Sequence, residues 1–317
     1  MSDAPDHDPV PRSNNRKGNI GSLKVRRLPV TFRSDFRRVI TRFFNPGGKE
    51  RICHVIDRVR ALSDEQVDRL LDEVFLKFRA RHGNIASVLD ENYCMALEIA
   101  GQPDDCSGNR RMLIGAYLTA EYSLESAALF NPSIVPHHNQ RNIPAGAVRI
   151  IMSLRATGEG HVSSIVFRTG VIYSDHQIQI DPCSRFSKPV RTVPDKQFEK
   201  PLFHRKLKDI GVNDAVLGLV LDRLGDSFTS AQLEQAMAEA RAAASETLHL
   251  EESLQEIGWL AHSNYQLQLS REAEASELVI FPQTINESHG IEDLRMVRFV
   301  EDDGTVTCPT SSTPAGR

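Results

Sequence analysis

Between residues 33 and 130, apolar positions recur at intervals of three and four, the spacing of helices with one buried face. Residues 33–44 put Phe36, Val39, Ile40 and Phe43 on one stripe, which Asn45-Pro46-Gly47-Gly48 brings to an end. Ser63 and Gln66 form a capping box, with Leu62 and Val67 at the staple positions. The run Val67, Leu70, Leu71, Val74, Phe75 and Phe78 then predicts a helix closed near Gly83. A third helix is expected over roughly 111–129, stopped by Asn131-Pro132.

Near residue 147 the period changes. Residues 148–154 and 162–168 are short, apolar and β-branched, and 171–180 alternates toward its end. Gly158, Gly160 and Gly170 punctuate them, so an antiparallel meander with tight turns is expected. Helical spacing returns at 213–224 (Val216, Leu217, Val220, Leu221, Leu224). A second capping box, Thr229 with Gln232, and a second staple, Phe228 with Leu233, open a long Ala-rich helix expected to run to about Ile257. Strands are expected at 277–281 and 294–300, the latter followed by an Asp303-Gly304 hairpin turn. The returning arm starts as Thr305-Val306-Thr307 and then dissolves into Pro, Ser and Thr. An incomplete hairpin with an open sheet edge is the expectation there.

The fold class is therefore mixed α and β. Residues 1–22 read as a polar, mobile tail, 23–130 as a helical N-terminal region, and 131–317 as a β-rich region with a helical insertion at about 200–262. No window holds 18 uninterrupted apolar residues, and the N-terminus has no apolar core of a secretory signal. Cys53, Cys94, Cys106, Cys183 and Cys308 are scattered without a CxxC pair, which reads as reduced thiols in a cytoplasmic protein. The formal net charge is -4, yet residues 11–51 hold twelve Lys or Arg against only Asp35 and Glu50. A basic segment of this kind binds nucleic acid or lies on the protein's own acidic body or a partner subunit. No aromatic or Gly-rich RNA-binding pattern accompanies it, so nucleic acid is not the expected partner, and no membrane association is expected.

Three segments could carry chemistry. Gly290-Ile291-Glu292-Asp293-Leu294-Arg295 sets two carboxylates and a guanidinium between a polar turn and an apolar strand. In a regular strand Asp293 and Arg295 share a face and Glu292 takes the other. An Arg beside an Asp keeps the carboxylate ionised, or the two grip a polyhydroxylated ligand; a solvated turn with a surface ion pair accounts for the same residues. Arg155 ends an apolar strand before the turn Ala156 to Gly160, followed by His161, Ser163 and Ser164. This suits recognition of an anion or sugar hydroxyls, or a plain structural hairpin. Gly158-x-Gly160 lacks the third glycine and the following helix of a dinucleotide site. Phe130-Asn131-Pro132-Ser133 is the third segment. His137 and His138 are adjacent and expected to diverge, and no metal site is expected from them.

In their order along the chain, ALFNPSIVPH, MSLRATGEGHVSSIVFRTGVI and HGIEDLRMVRFVEDDGTVT resemble glycoside hydrolase family 130, the β-mannoside phosphorylases and β-mannosidases. The likeness is to the long bacterial members with a helical N-terminal region. It spans about residues 121–307 and fades back to about residue 30. The family's usual Pro is Leu294 here. The resemblance implies a five-bladed β-propeller, of which this chain holds a part, with the active site in its central funnel. It implies Asp293 as general acid, acting through a hydroxyl of the bound mannoside. Asn131, Arg155 and Ser163 are implied at the sugar-binding end, with Glu292 and Arg295 holding the motif. The implied substrate is a β-mannoside oligosaccharide, with no cofactor beyond inorganic phosphate as a co-substrate, and a homo-oligomer fits the same picture. An inverting hydrolase needs a second carboxylate to activate water, whereas a phosphorylase uses phosphate held by cations. The family's hairpin continues into a Tyr-rich strand and further blades that Cys308 to Arg317 does not match. The expectation is a truncated or frameshifted chain, with a non-catalytic glycan- or partner-binding module as the alternative function.

Overall fold

The computed structural model describes residues 27–106, 108–193, 196–243, 249–268, 273–284, 287–307 and 310–314. The expected tail 1–22, the first part of the basic segment and Cys308 lie outside the described residues.

The chain opens with β1 (Val39–Phe43) and four helices: α1 (Lys49–Arg60), α2 (Asp64–Phe78), α3 (Ile85–Ala100) and α4 (Gly108–Tyr117). Then come β2 (Thr119–Ser123), β3 (Ala128–Pro136), β4 (Val148–Thr157), β5 (Ser163–Ile172) and β6 (Ile178–Ile180). Short strands β7 (Lys188–Pro189), β8 (Arg191–Thr192) and β9 (Gln197–Glu199) lead to α5 (Lys200–Asp209) and α6 (Asp214–Leu221). After β10 (Ser227–Thr229) come α7 (Ser230–Ala243) and α8 (Leu250–Ser263), then β11 (Leu267–Gln268) and β12 (Leu278–Ile280). The chain finishes with β13 (Ile291–Met296), β14 (Phe299–Val300), β15 (Val306–Thr307) and β16 (Thr310–Pro314). The mixed α and β class holds. No helix among the described residues is long and apolar enough to cross a membrane.

The capping boxes form as the sequence predicts. The Ser63 hydroxyl accepts from the Gln66 amide, while the Gln66 side chain accepts from the Ser63 amide. Thr229 and Gln232 make the same reciprocal pair at α7. Helix α2 stops at Phe78 with Arg79 as its cap, short of the expected Gly83. Helices α1 to α4 close over Ile52, Ile56, Tyr93, Leu113 and Ile114. The contact of α3 with α4 is close enough that a Cβ on Gly115 would fall 1.8 Å from the Leu89 carbonyl oxygen.

Two expected helices are corrected by one cause. Residues 33–44 hold β1 at 39–43 rather than a helix, and 111–129 is helical only to Tyr117 before turning into β2. The two strands pair antiparallel, Val39 opposite Ser123 and Phe43 opposite Thr119. Val39-Ile40-Thr41 is β-branched throughout, and each segment supplies the ladder partner that neither shows alone. Phe36, counted on the helical stripe, is 70% exposed. The long helix expected from 229 to 257 is two helices, α7 and α8, with His249 at left-handed φ 63 ahead of α8. One straight helix of that length would reach about 43 Å. Folding back instead lets Leu233, Ala236 and Ala240 share a core with Leu254, Ile257 and Leu260. That core, with Phe198, Phe203, Val216 and Phe228, belongs to the helical insertion alone.

The meander is present. Strands β3, β4, β5 and β6 pair antiparallel in sequence order. The expected strand 171–180 is the end of β5, a turn in which the Tyr173 amide bonds the Gln177 carbonyl, and then β6. The remaining edge of β5 takes β12, which also pairs parallel with β7. The sheet is covered on both sides, which is why β5 reads as a nearly continuous buried run. Met152, Leu154, Ala156, Val166 and Val279 face Ile40, Tyr122 and Leu124, while Ile165 and Phe167 face Ile291 and Leu294 of β13.

Near the C-terminus, the expected strand 294–300 divides into β13 and β14. The Asp303-Gly304 turn forms, pairing β14 with β15. The incomplete arm is corrected: the backbone of β16 pairs antiparallel with β13, Met296 opposite Thr310 and Ile291 opposite Pro314. Backbone pairing does not require apolar side chains, so the Ser/Thr composition concealed it.

Candidate functional site

The period of two along β4 puts Ile151, Ser153 and Arg155 on the face turned to β13, and along β5 it does the same for Ser163, Ile165 and Phe167. Strand β13 is docked there largely by side chains. The buried Ser153 hydroxyl donates to the Leu294 carbonyl (3.0 Å), the Ser133 hydroxyl accepts from the Met296 amide (3.0 Å), and the Arg295 guanidinium donates to the Pro132 carbonyl (3.1 Å). The approach is closest at Gly290, which bridges Ser163 in parallel register. A Cβ on Gly290 would lie 2.3 Å from the Ser163 nitrogen, and its φ of 116 lies where side chains are disfavoured.

All six residues singled out in the sequence meet here. The Asn131 amide donates to the Asp293 carboxylate at 2.5 Å. The Arg155 guanidinium pairs with the Glu292 carboxylate and donates from Nε to the Ser163 hydroxyl at 3.0 Å, while stacking over the Phe130 ring at 4.9 Å. Arg295 lies 3.6 Å from the second Asp293 oxygen. Ser163 is fully buried, whereas the Asp293 side chain is 38% exposed, so a ligand can reach the carboxylate.

Regular alternation does not hold at the motif, contrary to expectation. The ladder shifts between Glu292 and Arg295, and again on the facing strand between Phe130 and Ser133. Asp293 and Asn131 sit in these two irregularities, both with positive φ, 51 and 52. A bulge re-aims a side chain, so Glu292 and Asp293 both reach partners on the β3–β4 hairpin instead of opposing faces. What the arrangement offers is one exposed carboxylate beside an amide and a guanidinium, over a floor locked by a second ion pair. Such a set can hold sugar hydroxyls and move one proton.

Sequence reasoning missed Ser153, and it gave no separate role to Phe130, Ser133 and Gly290, which lie in the segments it singled out. The alternation of β4 through Arg155 was the signal that could have found Ser153. A buried cluster also went unread: Glu125 accepts from Arg168 at 2.7 Å, lies 3.5 Å from Arg38, and accepts from the Asp35 amide at 3.1 Å. Arg168 inside an otherwise apolar strand was its trace in the sequence. Burial, then repulsion from Arg168, lowers the Arg38 pKa from its ordinary value. Part of the basic segment is thus turned onto the protein itself, with Arg42 also lying 4.9 Å over the Phe281 ring.

His137 and His138 do not diverge; their rings lie 4.2 Å apart, because both follow the last residue of β3, where alternation ends. Among the described residues no group of three His, Cys, Asp or Glu is placed to hold a metal ion. The described cysteines, Cys53, Cys94, Cys106 and Cys183, are free thiols. Compared with known protein families, curated proteins and solved structures, the chain matches none of them.

Proposed function

We propose that this chain carries a β-mannoside-cleaving site, acting by phosphorolysis or hydrolysis, with Asp293 as general acid. The observation supporting this is the meeting of Asn131, Arg155, Ser163, Glu292, Asp293 and Arg295, of which Asn131 and Asp293, in direct contact, are 162 positions apart. The antiparallel meander β3 to β6 is the kind of up-and-down sheet from which propeller blades are built, and we read it as one blade. Asn131 and Arg155 hold the sugar. Asp293 delivers its proton to the leaving glycosidic oxygen through a sugar hydroxyl as the C1–O bond breaks. An oxygen of the phosphate dianion forms the new bond to C1 from the opposite face; water in its place has to give its proton to a second base.

The test is incubation of the chain with a panel of β-mannobioses, with and without inorganic phosphate. Release of mannose 1-phosphate or mannose is the expected result. Asp293→Asn should lower turnover by about 10²- to 10⁴-fold while mannoside binding by calorimetry persists. Unchanged turnover in Asp293→Asn sinks the assignment. Mannoside binding with no turnover by the unaltered chain supports a non-catalytic glycan-binding module instead.

A further inference from the structure

The opposite end of the same sheet carries a second polar cavity. Arg149 and Arg155 are six residues apart on β4, which at about 3.3 Å per residue separates the two ends by about 20 Å. This cavity has a volume of about 730 Å³, and its wall includes Arg149, Arg185, Asp181, Glu274, Phe186 and Ser276. Volumes of this order are those of small-molecule sites, well above what a lone ion needs.

Charge at the wall is arranged unevenly. Among the described residues neither Arg149 nor Arg185 has a carboxylate partner, and Arg149 Nε is shut off from solvent with no hydrogen-bond acceptor. Neither guanidinium has a protein acceptor among the described residues, so their outer nitrogens suit a bound oxyanion, which supplies the acceptors the protein does not. Behind the wall Arg38 donates to the Ser276 carbonyl at 2.5 Å. Arg38 and Arg168 share the single carboxylate of Glu125, which leaves one buried positive charge uncompensated, and Arg38 Nε is also unmatched. Burial, opposed by a hydrogen bond with the Asn139 backbone, lowers the pKa of His137, which also lines the cavity. The two acidic groups have a different use. The Thr169 hydroxyl holds one oxygen of Asp181 at 2.7 Å, and the other oxygen, with the exposed Glu274, can accept from ligand hydroxyls.

We infer that this cavity binds a phosphate monoester of a polyhydroxylated molecule, such as a sugar phosphate. Arg149 and Arg185 take the phosphate, and Asp181 and Glu274 take the hydroxyls. Guanidinium forks match phosphate oxygens in pairs, and carboxylates accept from sugar hydroxyls without competing for the anion. This site is independent of the β-mannoside reading.

Calorimetric titration of the full chain with glucose 6-phosphate, glucose and inorganic phosphate tests it. The expected result is saturable binding of glucose 6-phosphate that weakens with added salt, with glucose alone not binding. Arg185→Gln, at an exposed position that folding tolerates, and Arg149→Gln should each weaken binding by about tenfold or more. Arg155→Gln, at the other end of the sheet, should leave it unchanged. No saturable binding of glucose 6-phosphate at millimolar concentration, or binding that survives both Arg149→Gln and Arg185→Gln, overturns the assignment. Loss of binding in Arg155→Gln alone overturns it too, by moving the anion to the other site.

Discussion

Asn131 and Asp293 hydrogen-bond at 2.5 Å while both hold left-handed backbone, each in a break in the register of its own strand. Asn and Asp are the non-glycine residues that tolerate this region best, and it still costs each about 1 kcal/mol or more. The two irregularities therefore occur as a matched pair, and the contact they produce is the centre of the candidate site.

Replacing Asn131 separates the backbone role from the amide. Asn131→Gly keeps the left-handed conformation and removes the donor to Asp293; Asn131→Ala removes the donor and adds about 1 kcal/mol of backbone strain. Thermal unfolding should rank the glycine variant above the alanine variant. Mannoside affinity should fall alike in both. Equal stability of the two would contradict the backbone assignment.

Gly290→Ala should be among the most damaging single-methyl changes in this region. The new Cβ would meet the Ser163 backbone at 2.3 Å, and backbone cannot rotate away as a side-chain tip can. A loss of about 2–4 kcal/mol in urea unfolding is expected. A loss below about 0.5 kcal/mol would mean that the β5–β13 approach is loose.

Among the described residues Glu125 is the carboxylate within ion-pair distance of both buried guanidinium groups, Arg38 and Arg168. Glu125→Gln leaves both without a counter-charge and should destabilise the chain by about 3–5 kcal/mol. Protease access near residues 35–38 should rise in parallel, because glutamine has one acceptor oxygen where the carboxylate uses one for Arg168 and the other for the Asp35 amide.

The pH dependence has a defined sign at Glu121. Burial raises its pKa, but hydrogen bonds from Arg81 and His82 outweigh burial and hold it below the ordinary glutamate value of 4.5. A carboxyl with a depressed folded pKa stabilises fully above its unfolded value and loses that contribution as pH falls through the folded one. Melting temperature should thus decline as pH drops below about 4.5, and Glu121→Gln should flatten that decline. An identical acid limb in the variant would assign the effect to other carboxylates.

Local signals were legible wherever the structure is local. Ser63/Gln66 and Thr229/Gln232 mark true helix starts, and the β-branched runs after Ala147 mark the meander. Residues 39–43 and 119–123 were unreadable separately because each is a strand only by virtue of the other, some 80 positions away. The break between α7 and α8 follows from a shared core, and no Gly or Pro at 244–249 announces it. The six candidate side chains could be named from the sequence. Their geometry could not, since it depends on two register breaks, and the docking hydroxyls of Ser133 and Ser153 are ordinary strand residues until β13 is laid across them.

The edge of β5 near Ile165 and Val166 is completed only by Ile280 and Val279, after the whole helical insertion has intervened. At synthesis rates of about 5–20 residues per second, those apolar positions emerge roughly 6–23 s before their partner exists. The insertion, with its own core, can fold first and so hold the ends of a long loop near one another, reducing the closure entropy that β12 must overcome. The order of synthesis is then meander, insertion, edge strand, the strand bearing Asp293, and after it β16, which pairs with that strand. Asp293 is thus made only after Asn131, whose amide its carboxylate accepts from.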